Sequence, residues 1–223
     1  MKKSGYEEVS IPAGNVWLKG DLFIPEGAHA LVIFSHGSGS SRKSQRNRLV
    51  AEHLNEHGVG TLLFDLLTEE EDQHYSKRFD IDLLTERLVQ AAQWLERTLG
   101  KNKYFIGFFG ASTGAASAIK AADALPGIRA VVSRGGRPDM AREALVRVKA
   151  PVLLIVGSLD RDVLKLNQYA YEQIRSQKKL VIIEGATHLF EEPGTLEQVA
   201  DEAASWFKKY LLTNHLTNVQ RQN

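Results

Sequence analysis

Six short apolar runs, alternating with segments of helical spacing, restrict this chain to a small group of folds. The runs are Ala30 to Phe34, Gly60 to Phe64, Tyr104 to Phe109, Ala130 to Val132, Val152 to Val156 and Leu180 to Ile183. They barely alternate between apolar and polar residues, as strands buried on both faces do. Between the runs, Ile81, Leu84, Leu88, Ala91, Ala92 and Leu95 form one helical stripe. Leu196, Val199, Ala200, Ala203, Trp206, Phe207, Tyr210 and Leu211 form a wider one. This order predicts an α/β fold with a mostly parallel central sheet and helices on both faces. Right-handed crossovers then gather the strand-to-helix loops along one sheet edge, where ligands bind in open sheets. The start of the chain differs: Glu7 to Pro25 alternates around Gly14-Asn15 and predicts an N-terminal antiparallel hairpin. Pro193-Gly194 before Thr195, with Gln198 three residues on, predicts a capping box at the last helix.

Composition narrows the chemistry. A chain of 223 residues, 43% hydrophobic, can bury a substantial core, and it is read as a single domain over 1–223 with a polar, flexible tail from about 213. The formal net charge of +1 gives no basic excess for nucleic acid or an anionic membrane. The absence of cysteine excludes disulfides, thiolate catalysis and sulfur metal sites. Neither an apolar leader nor a spanning run is found in the sequence, so the expected location is the cytoplasm.

Gly110-Ala111-Ser112-Thr113-Gly114 follows one buried run and opens a helix rich in alanine. Strand, G-x-S-x-G, helix is the order of a nucleophile elbow, in which a strained turn lifts the serine hydroxyl above the sheet edge. The plainer reading is a serine that caps the helix. A serine hydroxyl needs a base, expected at the same edge after a later strand. His188 follows the run ending at Ile183; the other histidine after Ser112 is His215, in the polar tail. The imidazole needs a carboxylate on its second nitrogen. Asp160, past the turn after Val156, is the choice, with Asp162 and the more remote Asp139 as competitors. The resulting order Ser112, Asp160, His188 is that of α/β-hydrolases.

Acyl transfer also requires oxyanion donors. The Thr113 amide is the expected first donor. The Ser38 amide, in the loop Ser35-His36-Gly37-Ser38-Gly39-Ser40-Ser41-Arg42, is the expected second. This loop lacks the Gly-Lys-Ser/Thr of a phosphate cradle. His36, Gly37, Arg42 and Arg134 are candidates for lining the substrate site, although a structural role with the ring bonded to loop backbone is expected for His36. Arg42, Lys43, Arg46, Arg48, Arg134 and Arg137 should cluster at the mouth. They form either a solvated rim paired with Glu69, Glu70, Glu71 and Asp72 or a clamp for a substrate carboxylate or phosphate. The short interval between Val131 and Ala150 leaves room for one short helix and no large lid.

The segments His36-Gly37-Ser38-Gly39-Ser40-Ser41-Arg42, Phe64-Asp65-Leu66-Leu67-Thr68, Arg78-Phe79-Asp80, Gly110-Ala111-Ser112-Thr113-Gly114, Ser133-Arg134-Gly135-Gly136-Arg137-Pro138-Asp139 and Gly185-Ala186-Thr187-His188 carry a resemblance. Nearly the whole chain resembles the dienelactone hydrolase-like branch of the α/β-hydrolase superfamily. It is similar in particular to small bacterial hydrolases, some fused to phosphoribosyltransferase-like domains. The resemblance implies the fold, a Ser112-Asp160-His188 triad and hydrolysis of an ester-like bond. True dienelactone hydrolases use a cysteine where this chain has Ser112. The expected activity is a serine hydrolase acting on a small-molecule carboxylic ester or thioester without metal or organic cofactor. The rival is a catalytically silent binding protein of the same fold.

Overall fold

The computed structural model describes residues 5–213; His215 and the tail from 214 lie outside the described residues. Eight strands form one sheet: β1 (Glu7–Ala13), β2 (Val16–Phe23), β3 (Ala30–Ser35), β4 (Val59–Phe64), β5 (Phe105–Ala111), β6 (Ala130–Arg134), β7 (Val152–Gly157) and β8 (Lys178–Ile183). Their spatial order is β1-β2-β4-β3-β5-β6-β7-β8. β1 and β2 pair antiparallel around the predicted turn, with Ala13 opposite Val16, and β2 joins β4 antiparallel. From β4 through β8 every pairing is parallel, so the strands' carboxyl ends share one edge.

Among the described residues seven α-helices accompany the sheet: α1 (Gln45–Glu56), α2 (Glu69–Asp72), α3 (Ile81–Leu99), α4 (Thr113–Ala124), α5 (Ala144–Arg147), α6 (Arg161–Gln173) and α7 (Thr195–Phe207). All but α2, which buries no residue, divide between two apolar layers. On one face Leu84, Leu88 and Leu95 of α3 and Ile119 of α4 pack on Ile33, Leu62 and Phe108. On the other, Val50 and Leu54 of α1 and Val199, Ala203 and Phe207 of α7 pack on Val32, Phe34 and Phe109. Successive strand residues point to opposite faces, so an uninterrupted apolar strand feeds both layers.

Several local expectations are corrected. The stretch 45–56 is an unforeseen helix, started by Ser44, whose side chain accepts from the Asn47 N–H. β8 lies at the sheet edge with Ile182 46% exposed, so its apolar run does not mark burial on both faces. The capping box at α7 does not form. Gly194, in the left-handed region, is the N-cap, which makes Thr195 the first helical residue; its hydroxyl turns back to the Glu192 carbonyl at 2.7 Å. Between β6 and β7 the chain makes a 3-10 turn (Pro138–Ala141) and the single turn of α5, too little to cover the sheet edge. Among the described residues no helix is long and apolar enough to cross a membrane.

Candidate active site

Ser112 sits between β5 and α4 with φ 50° and ψ −122°. Such backbone costs about 1–3 kcal/mol in a non-glycine residue and persists where the surroundings over-determine it. Here they do. The Ser112 N–H donates to the Arg134 carbonyl at 3.2 Å, and its carbonyl accepts from the Ala115 and Arg137 N–H groups at 3.1 and 3.0 Å. The flanking glycines are obligatory by contact. A Cβ on Gly110 would lie 2.4 Å from the Gly114 carbonyl oxygen, and one on Gly114 would lie 2.1 Å from that of Ser35. Ser112 makes no side-chain hydrogen bond to cap α4, so the plainer reading, a helix cap, does not describe it.

His188 Nδ1 and Asp160 Oδ2 stand 2.6 Å apart, with the carboxylate 14% and the imidazole 40% exposed. The competing acids lie elsewhere. The Asp162 side chain is 95% exposed beside Lys165, and Asp139 is paired with Arg137. The loops bearing Asp160 and His188 are stitched together: the Leu159 N–H donates to the Ala186 carbonyl, and the Gly185 N–H to Ser158 Oγ. On the far side of His188, Glu192 accepts from both the Thr187 hydroxyl and the Thr187 N–H, at 2.6 and 3.1 Å. Those two bonds hold its carboxyl below the usual range. Phe190, buried with φ 56°, anchors the same loop.

A cleft of about 250 Å³ holds Ser112 and His188 together, with Gly37, Ser38, Arg46, Asn47, Arg134 and Gly135 around them. Gly37 lies against the nucleophile: a Cβ there would be 3.0 Å from that of Ser112. The Ser38 N–H donates to Thr113 Oγ1 at 2.9 Å, so the second expected oxyanion donor has a partner in the free protein. Thr113 opens α4, which points its positive end into the cleft. His36 is buried in the loop it was expected to brace. Its Nε2 accepts from the Leu66 N–H at 3.1 Å, so the neutral tautomer carries its proton on Nδ1, toward the Gly37 carbonyl at 2.9 Å. Burial pushes its pKa below the ordinary value. A wider groove of about 630 Å³, with Trp17, Lys43, Asp65 and Glu69 on its walls, contains neither Ser112 nor His188.

The arginines do not act as one cluster. Arg42 is buried and holds Glu8, Asp21 and Asp65 at 3.0 to 3.2 Å, which ties the N-terminal hairpin to the β3 loop. This corrects its assignment to substrate: three carboxylates occupy the guanidinium. Arg48 also pairs with Asp21, and Glu69, Glu71 and Asp72 find Lys19, Lys77, Arg78 and Arg87 instead. Arg134 differs. It is buried, Nη2 donates to Asn47 Oδ1 at 3.1 Å, and Nε has no partner. Burial, and then the neighbouring Arg46, push its pKa down to about 10. Asn47 escaped the sequence reading because α1 did; Ser44 three residues before it was the available capping signal.

A mostly parallel sheet with a strained serine at the carboxyl end of β5, and a paired histidine and aspartate on later loops, defines the α/β-hydrolase class. Residues 28–210 match the alpha/beta hydrolase domain family, and the chain belongs to that family, on its dienelactone hydrolase-like branch. A dienelactone hydrolase from Anabaena variabilis superposes with a TM-score of 0.89 at 53% identity, over 92% of this chain and 98% of that one. Two curated Mycobacterium tuberculosis proteins, each named a putative phosphoribosyl transferase, are 53% identical over 206 residues. That alignment covers 92% of this chain and 46% of theirs, so the chain spans about half their length. Est1E from Butyrivibrio proteoclasticus shares the fold at 19% identity, with a TM-score of 0.77 over 91% of this chain and 98% of its own.

Proposed function

We propose that the protein is a serine hydrolase that cleaves a small carboxylic ester or thioester through an acyl-enzyme. The observation that carries this reading is the 2.6 Å contact between His188 Nδ1 and Asp160 Oδ2 in a loop pair that opens onto the strained Ser112. Asp160 fixes the imidazole with its proton on Nδ1 and leaves Nε2 as the base. Ser112 Oγ attacks the acyl carbon while His188 Nε2 takes its proton. The tetrahedral oxyanion is met by the Thr113 amide and by the Ser38 amide, which exchanges Thr113 Oγ1 for the substrate oxygen. Collapse expels the alcohol or thiol with the proton from His188. Water, deprotonated by the same nitrogen, then releases the acid and restores Ser112. The kinship with a dienelactone hydrolase supports the reaction class.

Turnover of p-nitrophenyl acetate by wild type, Ser112→Ala and His188→Ala tests the reading. It requires activity in wild type and its loss in both variants. Retained turnover in Ser112→Ala would place the chemistry on another group.

A further inference from the structure

Arg134 ends β6 beside the nucleophile. Its Cα is in register with that of Ala111, and its carbonyl accepts the Ser112 N–H. The next residue, Gly135, lies so near the base that a Cβ would sit 3.6 Å from His188 Cε1. The side chain is therefore rooted between the two groups assigned the chemistry, and Arg134 is among the residues around their cleft.

A guanidinium is always charged at neutral pH, and a buried charge is normally paired. Among the described residues no carboxylate pairs with Arg134. Its one hydrogen-bond acceptor is the neutral Asn47 amide, its Nε is unpartnered, and the charge nearest in effect is another cation, Arg46. Arg46 also lines the cleft with a buried, unpartnered Nε, and among the described residues its ion pair is a 3.3 Å contact with the exposed Glu191. Phe190 lies beside the Arg134 guanidinium with its ring centroid 5.9 Å away, which supports the side chain without neutralising it. The contrast with Arg42, equally buried but held by three carboxylates, isolates what Arg134 lacks.

We propose that Arg134, held by Asn47 and assisted by Arg46, binds a carboxylate carried by the substrate, so that the enzyme prefers anionic esters over neutral ones. The inference rests on the hydrolase reading for its chemistry, and the anion site can be tested without it. A carboxylate suits a guanidinium at the cleft that has no anionic partner, because planar guanidinium and carboxylate groups pair through two parallel hydrogen bonds. The cleft of about 250 Å³ limits the ester to a short chain between carboxylate and scissile carbonyl, as in a half-ester of a small dicarboxylic acid.

The test compares kcat/KM for the p-nitrophenyl half-ester of glutarate with that for the neutral pentanoate ester of equal chain length. Wild type should prefer the half-ester, and Arg134→Met should lower that preference about 10- to 100-fold, the worth of hydrogen bonds to a charged partner. Arg134→Lys, which keeps the charge without the fork, should fall between. Equal preference in wild type and folded Arg134→Met would overturn the proposal. Thermal shift with free glutarate decides independently of turnover. Stabilisation of wild type that is lost in Arg134→Met supports the anion site even if no ester is cleaved, in which case the hydrolase reading alone fails. Turnover of both esters at equal efficiency by wild type, with no stabilisation by glutarate, sinks the anion site and leaves the hydrolase reading standing. Should Arg134→Met fail to fold, the wild-type preference and the Arg134→Lys response decide.

Discussion

Gly157 lies so close beneath Ala186 that a Cβ on the glycine would fall 2.2 Å from the Ala186 carbonyl oxygen. The contact joins the end of β7, which launches the Asp160 loop, to the loop carrying His188. Gly157→Ala must push the two apart, because the obstacle is backbone and cannot rotate away. The expected outcome is a loss of about 1–3 kcal/mol in stability and a fall in kcat larger than any change in KM. Urea unfolding and steady-state ester kinetics on the purified variant check this. Wild-type stability and kcat would show that the loops tolerate separation.

The acid assignment separates three aspartates. Asp160→Asn keeps the side-chain shape but favours the wrong histidine tautomer, and should lower kcat by about 10⁴-fold. Asp162→Asn and Asp139→Asn should each change kcat less than about tenfold, since neither carboxylate meets His188. Ester kinetics for the three variants decide, and a large loss confined to Asp139→Asn would move the acid to β6.

Much of this geometry was legible in the sequence, and the reasons it was legible differ from residue to residue. The strands β3 to β7 could be read because burial on both faces leaves few polar positions, Ser35, Thr61, Ser133 and Arg134 among them, and the elbow because Gly110 and Gly114 meet backbone that excludes any side chain. Sequence order along one sheet edge brought His188 and Asp160 within reach of each other. Pairing between distant side chains was not legible. Nothing local distinguishes Arg42, which meets Glu8, Asp21 and Asp65, from Arg134, which meets no carboxylate among the described residues. Nor does sequence spacing reveal that a left-handed Gly194 takes the N-cap position, so that α7 starts one residue earlier and Thr195 lies inside it.

Arg42 is expected to matter to stability and not to substrate charge. Arg42→Met leaves the nearly buried Asp21 with Lys43 and Arg48 alone and frees Asp65 from its guanidinium. Removing one partner of a buried pair costs about 3–5 kcal/mol, and the low end is expected here because Asp21 keeps Lys43 and Arg48. The ratio of activity on anionic and neutral esters should stay as in wild type. Denaturation curves and the two-ester comparison measure both, and a changed ratio would return Arg42 to the substrate site.

His36 gives a pH signature. Its pKa in the folded protein lies below the ordinary 6.5, chiefly through burial. The unfolded chain therefore takes up a proton at a pH where the folded one does not. Its contribution to stability is whole above 6.5 and declines as pH falls from there toward the depressed folded value. Protonation of Nε2 would also set an N–H against the Leu66 N–H that it now accepts. Unfolding free energy measured from about pH 8 to about pH 5 should fall less steeply in His36→Asn than in wild type. Identical slopes would remove His36 as the titrating group.

The most direct test of the central claim is intact-mass spectrometry after exposure to a fluorophosphonate, with the adduct mapped by peptide sequencing. Displacement of fluoride by an activated serine predicts one adduct per chain, on Ser112, and none in Ser112→Ala. A folded wild-type protein that gains no adduct, or gains it on another residue, would contradict Ser112 as the nucleophile and favour a binding protein built on a hydrolase fold.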